Sequence, residues 1–270
     1  MPDLDLPASR LHFTDTGPRT SAGTFLLVHG WGGDSTEWRR AASGLTPDHR
    51  VITADLRGHG RSSAPADGYA PADFAADLSA LLVRLDAPPV IAVGHSMGAQ
   101  VVVALAADRP PAVAALAALD PAYGADRAEM RRIPGEQEQL RAEGSGWAAR
   151  FAEGAHTRGT PPEVRARHRR VMAAMDPGVL LAARDAMYLA PGAFGSLPAA
   201  EAKLATLTQP VLTVMTGLAR AAWARRALPG PRSRVEVFQG CGHYLHEERP
   251  ERLARLLSRW ALGAEPPPNA

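Results

Sequence analysis

Residues 92–106 read AVGHSMGAQVVVALA. The run VIAV (90–93) just before the serine is short, apolar and rich in β-branched residues, which suits a buried strand. From Met97 the pattern MGAQVVVALAAD (97–108) turns helical, and Pro110 stops it. Ser96 stands at the junction, between Gly94 and Gly98. A hydroxyl there adds nothing to a core. Glycines two residues to either side permit a turn too tight for side chains, with the serine oxygen held at its tip. The N-terminus of the following helix carries unpaired N–H groups and partial positive charge, which favours an oxyanion.

The rest of the chain supplies a setting for such a turn. Further strand-like runs are TFLLV (24–28), RVITA (50–54), AALAAL (114–119), VLTVMT (211–216) and RVEVF (234–238). Helical patterns lie between and after them, including 71–85 and 250–262, each with proline in its first turn. Continuous apolar strands alternating with helices predict a doubly wound, mostly parallel α/β sheet covered on both faces. The alternation breaks between about Pro121 and Leu207, where only helices are expected, around 126–153, 161–175 and 177–189. The expected organisation is a core of residues 1–121 and 207–264, an all-helical cap over 122–206, and a disordered tail over 265–270. Ligands of open α/β sheets bind at the carboxyl ends of the strands, which makes the insertion a candidate lid.

Composition narrows the function classes. The chain has 270 residues, 46% hydrophobic and 21% charged, enough apolar content for a large core. The formal net charge of +2 is too mild for nucleic-acid binding, which needs clustered positive charge. Cys241 is the only cysteine, so no intrachain disulfide can form. The opening MPDLDLPASR has no signal-peptide pattern, and no apolar run approaches the ~20 residues of a membrane span. These features predict a cytoplasmic protein acting on a small molecule, with neither nucleic acid nor membrane as partner. Its oligomeric state is left open between monomer and homodimer.

A serine hydroxyl needs a base to act as a nucleophile. Among nine histidines, His243 lies in GCGHYLHEERPE, after the last predicted strand and before the last helix. That loop emerges at a strand's carboxyl end, on the same side as Ser96. His246 reads as a surface or capping histidine, and His95 as a packing residue. The base in turn needs an acid to fix its tautomer. The segment after VLTVMT, GLARAAWARR, contains no Asp or Glu, whereas AALAAL is followed at once by Asp120. Asp120 is therefore the candidate acid. Asp126, Glu129 and Asp185 read as helix-surface residues. An oxyanion hole needs two N–H donors. Met97, after the nucleophile, offers one, and Trp31 in the glycine-rich loop HGWGGD (29–34) offers the other.

With these pieces in place the sequence resembles the α/β-hydrolase superfamily. The matching segments are HGWGG (29–33), DLRGHGRS (55–62), GHSMG (94–98) and GCGHYLHEERP (240–250), in the family's order. The resemblance implies Ser96 as nucleophile, His243 as base, and Trp31 and Met97 as oxyanion donors. It gives Asp55 and Arg57 a structural role. Many members carry the acid after the strand corresponding to VLTVMT. Some lactone hydrolases and cofactor-independent ring-cleaving dioxygenases carry it where Asp120 stands.

The expected reaction is hydrolysis of a carboxylic ester or lactone through an acyl-enzyme, with no cofactor and no metal. The insertion offers Met130, Trp147, Phe151, Met172, Met175, Met187, Tyr188 and Phe194 as candidates to face the pocket. Trp147, Met187 and Tyr188, with Trp31, are the substrate-binding candidates. The insertion's arginines, Arg165, Arg167, Arg169 and Arg170 among them, alternate with acids and read as a solvated face. An uncharged apolar substrate follows. Two alternatives use the same fold. One is a cofactor-independent dioxygenase relying on the His–Asp pair; the other is a hydrolase-like receptor for a small ligand.

Overall fold

The computed structural model describes residues 3–19, 23–261 and 263. The tail expected to be disordered, 265–270, lies outside the described residues. The strands are β1 (Asp3–Asp5), β2 (Arg10–Thr16), β3 (Thr24–Val28), β4 (Arg50–Ala54), β5 (Val90–His95), β6 (Val113–Leu119), β7 (Val211–Met215) and β8 (Arg234–Val237). They form one sheet in the order β1-β2-β4-β3-β5-β6-β7-β8. β1, β2 and β4 pair antiparallel, and every pair from β4 through β3 to β8 is parallel.

The helices of the sheet unit are α1 (Arg39–Leu45), α2 (Pro71–Arg84) and α3 (Met97–Asp108). Five more, α4 (Arg127–Glu143), α5 (Ser145–Glu153), α6 (Pro162–Ala173), α7 (Pro177–Tyr188) and α8 (Leu197–Leu204), fall between β6 and β7. The last three are α9 (Leu218–Ala227), α10 (Leu245–Glu248) and α11 (Pro250–Ala261). The expected helix over 126–153 is two helices, because Gly144 at φ +62° breaks it.

The strand pleat divides the core in two. Leu26, Val28, Ala92, Leu116 and Ala118 point to the face covered by α2 and α3, in a cluster that continues into α4, α5 and α7. Phe25, Leu27, Val93, Ala117 and Leu119 point to the opposite face, under α1 and α11. Alternate residues thus feed opposite faces, as the two-residue period of a strand requires.

Register sets the site. Val28 pairs with Gly94, His95 with Leu119, and Leu119 with Val214. The carboxyl ends of β3, β5, β6 and β7 are therefore level, and the loops after them start side by side. The chain order reverses between β3 and β5, the place where open α/β sheets bind ligands.

One buried ion pair secures the loop after β4. Arg57 donates to Asp77 from Nε and Nη2 at 2.7 and 2.6 Å, and Ser9 Oγ also donates to Asp77. Both side chains are under a tenth exposed. Replacing Asp77 by Ala leaves a buried guanidinium unpaired, and urea unfolding should show a loss of about 3–5 kcal/mol. The double variant Arg57→Met/Asp77→Leu should recover most of that loss, because no buried charge remains.

Candidate active site

Ser96 sits between β5 and α3 with φ +53° and ψ −114°. A side chain at Gly94 would bring its Cβ within 2.1 Å of the Gly98 carbonyl oxygen. One at Gly98 would lie 2.4 Å from the Val28 carbonyl oxygen. Both positions need glycine so that α3 can fold back against β5 and pass the end of β3. The strained serine backbone is fixed from both sides. Its N–H donates to Leu119 O at 3.0 Å, and its carbonyl accepts from Ala122 N at 3.1 Å. These partners flank Asp120, so the turn and the end of β6 are joined directly.

Asp120 is itself at φ +37°. Its N–H donates to Val214 O at 2.8 Å, and its Oδ1 accepts from Thr216 Oγ1 at 3.2 Å. Oδ2 lies 2.7 Å from His243 Nδ1. Burial pushes the Asp120 carboxyl upward. The hydrogen bond with His243 and the charges of His243 and Arg220 outweigh this and hold it below the ordinary value. With Nδ1–H donated to a carboxylate, Nε2 is the free ring atom. Among the described residues neither Ser96 Oγ nor His243 Nε2 has a hydrogen-bond partner, and both side chains are partly open. The structure thus brings Asp120 and His243 into contact, and sets Ser96 beside them without a hydroxyl–imidazole bond.

The His243 loop is anchored three ways. The His243 carbonyl accepts from His95 Nε2 at 3.0 Å. The His243 N–H donates to Ala155 O at 3.2 Å, and Gly242 N donates to Glu248 Oε2 at 3.0 Å. His95 is buried beneath, and burial pushes its pKa down to about 3, so it is the neutral imidazole.

Met97 opens α3, so its N–H is a first-turn group with no intrahelical acceptor. The loop after β3 lies against the serine: a Cβ on Gly30 would be 3.2 Å from Ser96 Cβ. His29 shapes that loop. Its Nε2 accepts from Leu56 N at 3.0 Å, which leaves Nδ1 to donate to Gly30 O at 2.8 Å. Asp55 accepts from Ser35 N and Arg61 N, bracing the loop from behind. His29 and Thr216 escaped the sequence reading. Only the His-Gly pair opening HGWGG marked one of them.

Trp31 reaches across to the helices between β6 and β7, donating from Nε1 to Leu180 O at 2.9 Å. Its ring meets Phe151 edge-on at 6.1 Å, and Phe151 stacks on Trp147 at 5.0 Å. Trp147 and Met187 are buried, Tyr188 is half-buried, and Phe151 is exposed. Arg184 lies 5.7 Å from the Trp147 ring centre and 6.0 Å from that of Tyr188, its charge paired with Glu136.

The sequence matches the Alpha/beta hydrolase family over residues 25–256. The chain belongs to this family. It is 41% identical over 123 residues to the lipase LipV of Mycobacterium tuberculosis, 46% of each chain. The match thus spans about half the length of that curated relative. Solved structures align nearly end to end. The enol-lactonase of Burkholderia xenovorans LB400 superposes with a TM-score of 0.83 at 21% identity, over 96% of this chain and 99% of its own. A thermophilic esterase of Thermogutta terrifontis gives 0.80 at 26%, over 96% and 95%.

Two expectations need correction within this family fold. His246 is neither a surface nor a capping residue: it is 1% exposed and faces Glu37 at 3.4 Å. The four arginines do not form one solvated face. Arg169 and Arg170 are exposed, but Arg165 pairs with Glu153 and Arg167 with Glu247. Burial of one helix side, invisible to charge alternation, draws those two inward. Among the described residues no helix is long and apolar enough to cross a membrane.

The lowered Asp120 carboxyl has a measurable consequence. Its ionised form contributes stability above the unfolded pKa, and this is lost as pH falls through the folded value. The stability advantage of wild type over Asp120→Asn should be full at pH 7 and shrink below about pH 4. Denaturant titrations across that range measure it. A constant gap would contradict the depressed value.

Proposed function

We propose that this protein is a serine hydrolase that cleaves a carboxylic ester or lactone of an uncharged, apolar substrate through an acyl-enzyme. The observation that carries the reading is the 2.7 Å contact of His243 with Asp120 beside a serine held at positive φ. Strain of this kind persists where function uses it. The names of similar proteins, a lipase, an enol-lactonase and an esterase, support the same reaction class.

His243 Nε2 takes the proton from Ser96 Oγ as the oxygen attacks the substrate carbonyl. The hydroxyl–imidazole hydrogen bond forms as substrate enters, since such contacts tighten on binding. The Trp31 and Met97 amides hold the oxyanion, each donor contributing about 3 kcal/mol. His243 then protonates the leaving oxygen. It next activates a water that attacks the acyl carbon and returns Ser96 to its free form. Asp120 holds the imidazole with Nδ1 protonated and stabilises the imidazolium. This cycle routes no step through a metal or organic cofactor.

In this reading residues 122–206 form a lid over a core of 1–121 and 207–264, and the enzyme works in the cytoplasm. Trp31, Trp147, Met187 and Tyr188 bound the substrate. Arg184, buried among the aromatics, is paired with Glu136 and offers no free charge to an anion. That pairing supports an uncharged substrate.

Ser96→Ala should unfold with an unchanged midpoint and lose essentially all turnover of p-nitrophenyl esters. Asp120→Asn should lose about 10⁴-fold in kcat. Turnover that survives in Ser96→Ala, or substrate-dependent uptake of dioxygen by that variant, would overturn the nucleophile and favour the oxygenase chemistry of the His–Asp pair. Across a panel of esters and lactones, kcat/KM should rise with apolar acyl length and fall for anionic substrates. The reverse order would refute the substrate class.

A further inference from the structure

Behind the nucleophile turn, three buried side chains converge that the hydrolytic cycle does not use. Glu37 lies on the short turn Ser35–Trp38 after the oxyanion loop. His95 ends β5, one residue before Ser96, and His246 lies on α10, three residues beyond His243. All three are 4% exposed or less. Glu37 Oε2 is 3.4 Å from His246 Nε2 and 3.8 Å from His95 Nδ1. The three donor atoms lie within 4.8 Å of one another. Among the described residues Glu37 Oε2, His95 Nδ1 and both His246 nitrogens have no hydrogen-bond partner.

Such a cluster is costly unless something joins it. His95 donates its Nε2–H to the His243 carbonyl, so in the neutral ring Nδ1 bears a lone pair. That lone pair faces a carboxylate oxygen, acceptor against acceptor. A proton on His246 Nε2 would satisfy Glu37 and still leave His95 facing it without a donor.

The spacing separates the possible bridges. A water hydrogen-bonded to three groups at about 2.8 Å holds them about 4.5 Å apart. Zinc bound tetrahedrally at about 2.0–2.2 Å holds its ligands about 3.3–3.6 Å apart. The two separations at Glu37, 3.4 and 3.8 Å, lie nearer the metal's spacing than the water's. The donor set, two imidazoles and a carboxylate, is one that zinc takes. Metal-bound histidines characteristically donate their second ring N–H to a carbonyl or carboxylate, as His95 does here.

We propose that Glu37, His95 and His246 bind one zinc-class divalent ion as a structural site behind the catalytic residues. The ion joins the turn after the oxyanion loop, the residue before the nucleophile and the loop that carries His243. It touches no reacting atom. It leaves the expected metal-free chemistry untouched, and it stands whether or not Ser96 is the nucleophile.

The test uses tag-free full-length protein, stripped by chelator and titrated with Zn²⁺ or Co²⁺ in the absence of substrate. One equivalent of zinc per chain should remain after gel filtration. Cobalt should give the intense visible bands of a tetrahedral site. Zinc at a hundredfold excess over its Kd should raise Tm by roughly 5–10 °C. Glu37→Gln and His246→Ala should lose the stoichiometric ion, whereas Ser96→Ala should keep it. Wild-type protein that retains no zinc and gives no cobalt bands would overturn the proposal, as would full binding by a folded Glu37→Gln. The wild-type result decides alone if a variant does not fold.

Discussion

The approach of α3 to the end of β3 leaves no room for a side chain at Gly98, where a Cβ would lie 2.4 Å from the Val28 carbonyl oxygen. The same holds at Gly94 against the Gly98 carbonyl. The chain can turn from strand to helix here only by forcing the residue between them to positive φ. A non-glycine residue in that region costs about 1–3 kcal/mol, and neighbouring contacts must hold it there. They do: the Ser96 N–H and carbonyl bind Leu119 and Ala122, on either side of Asp120. One steric constraint thereby fixes the serine, aims the first turn of α3 at it, and ties it to the end of β6.

How much was legible in the sequence depended on how local the signal was. β3, β4 and α3 have the boundaries that their apolar patterns predict, because a short apolar run or a helical stripe is a property of neighbouring residues. The glycine–serine turn was legible for the same reason. Asp120 and His243 could be singled out because each follows a strand, and parallel strands bring their ends together. β1 and β2 went unread because β1 is only three residues long and RLHFTDT, an antiparallel strand, mixes polar with apolar residues and does not form a continuous apolar run.

The support around these groups was not legible. Glu37 and His246 are 209 positions apart, and each alone looks like an ordinary surface residue. Only the folded sheet brings them together. Thr216, which bonds the second oxygen of Asp120, stands at the end of the run VLTVMT, just after β7. The sequence shows only that no Asp or Glu follows this run, and gives no sign of the hydroxyl that braces the Asp120 carboxylate from the neighbouring strand.

The helices between β6 and β7 are fastened to both halves of the site. Trp31 binds Leu180 O, and His243 N–H binds Ala155 O. Glu248, which accepts from Gly242 N, also accepts from Thr160 Oγ1. The loop after β3 and the loop that carries His243 therefore share their neighbours with this helical layer. Its packing bears on the site's geometry as well as on its walls.

A crystal structure of the protein treated with an uncharged alkyl fluorophosphonate tests the central claim most directly. The account predicts a covalent bond from Ser96 Oγ to phosphorus. One phosphonyl oxygen should lie within hydrogen-bond reach of the Trp31 and Met97 amides, with His243 still held by Asp120. An unmodified Ser96, or an adduct whose phosphonyl oxygen points away from both amides, would contradict it.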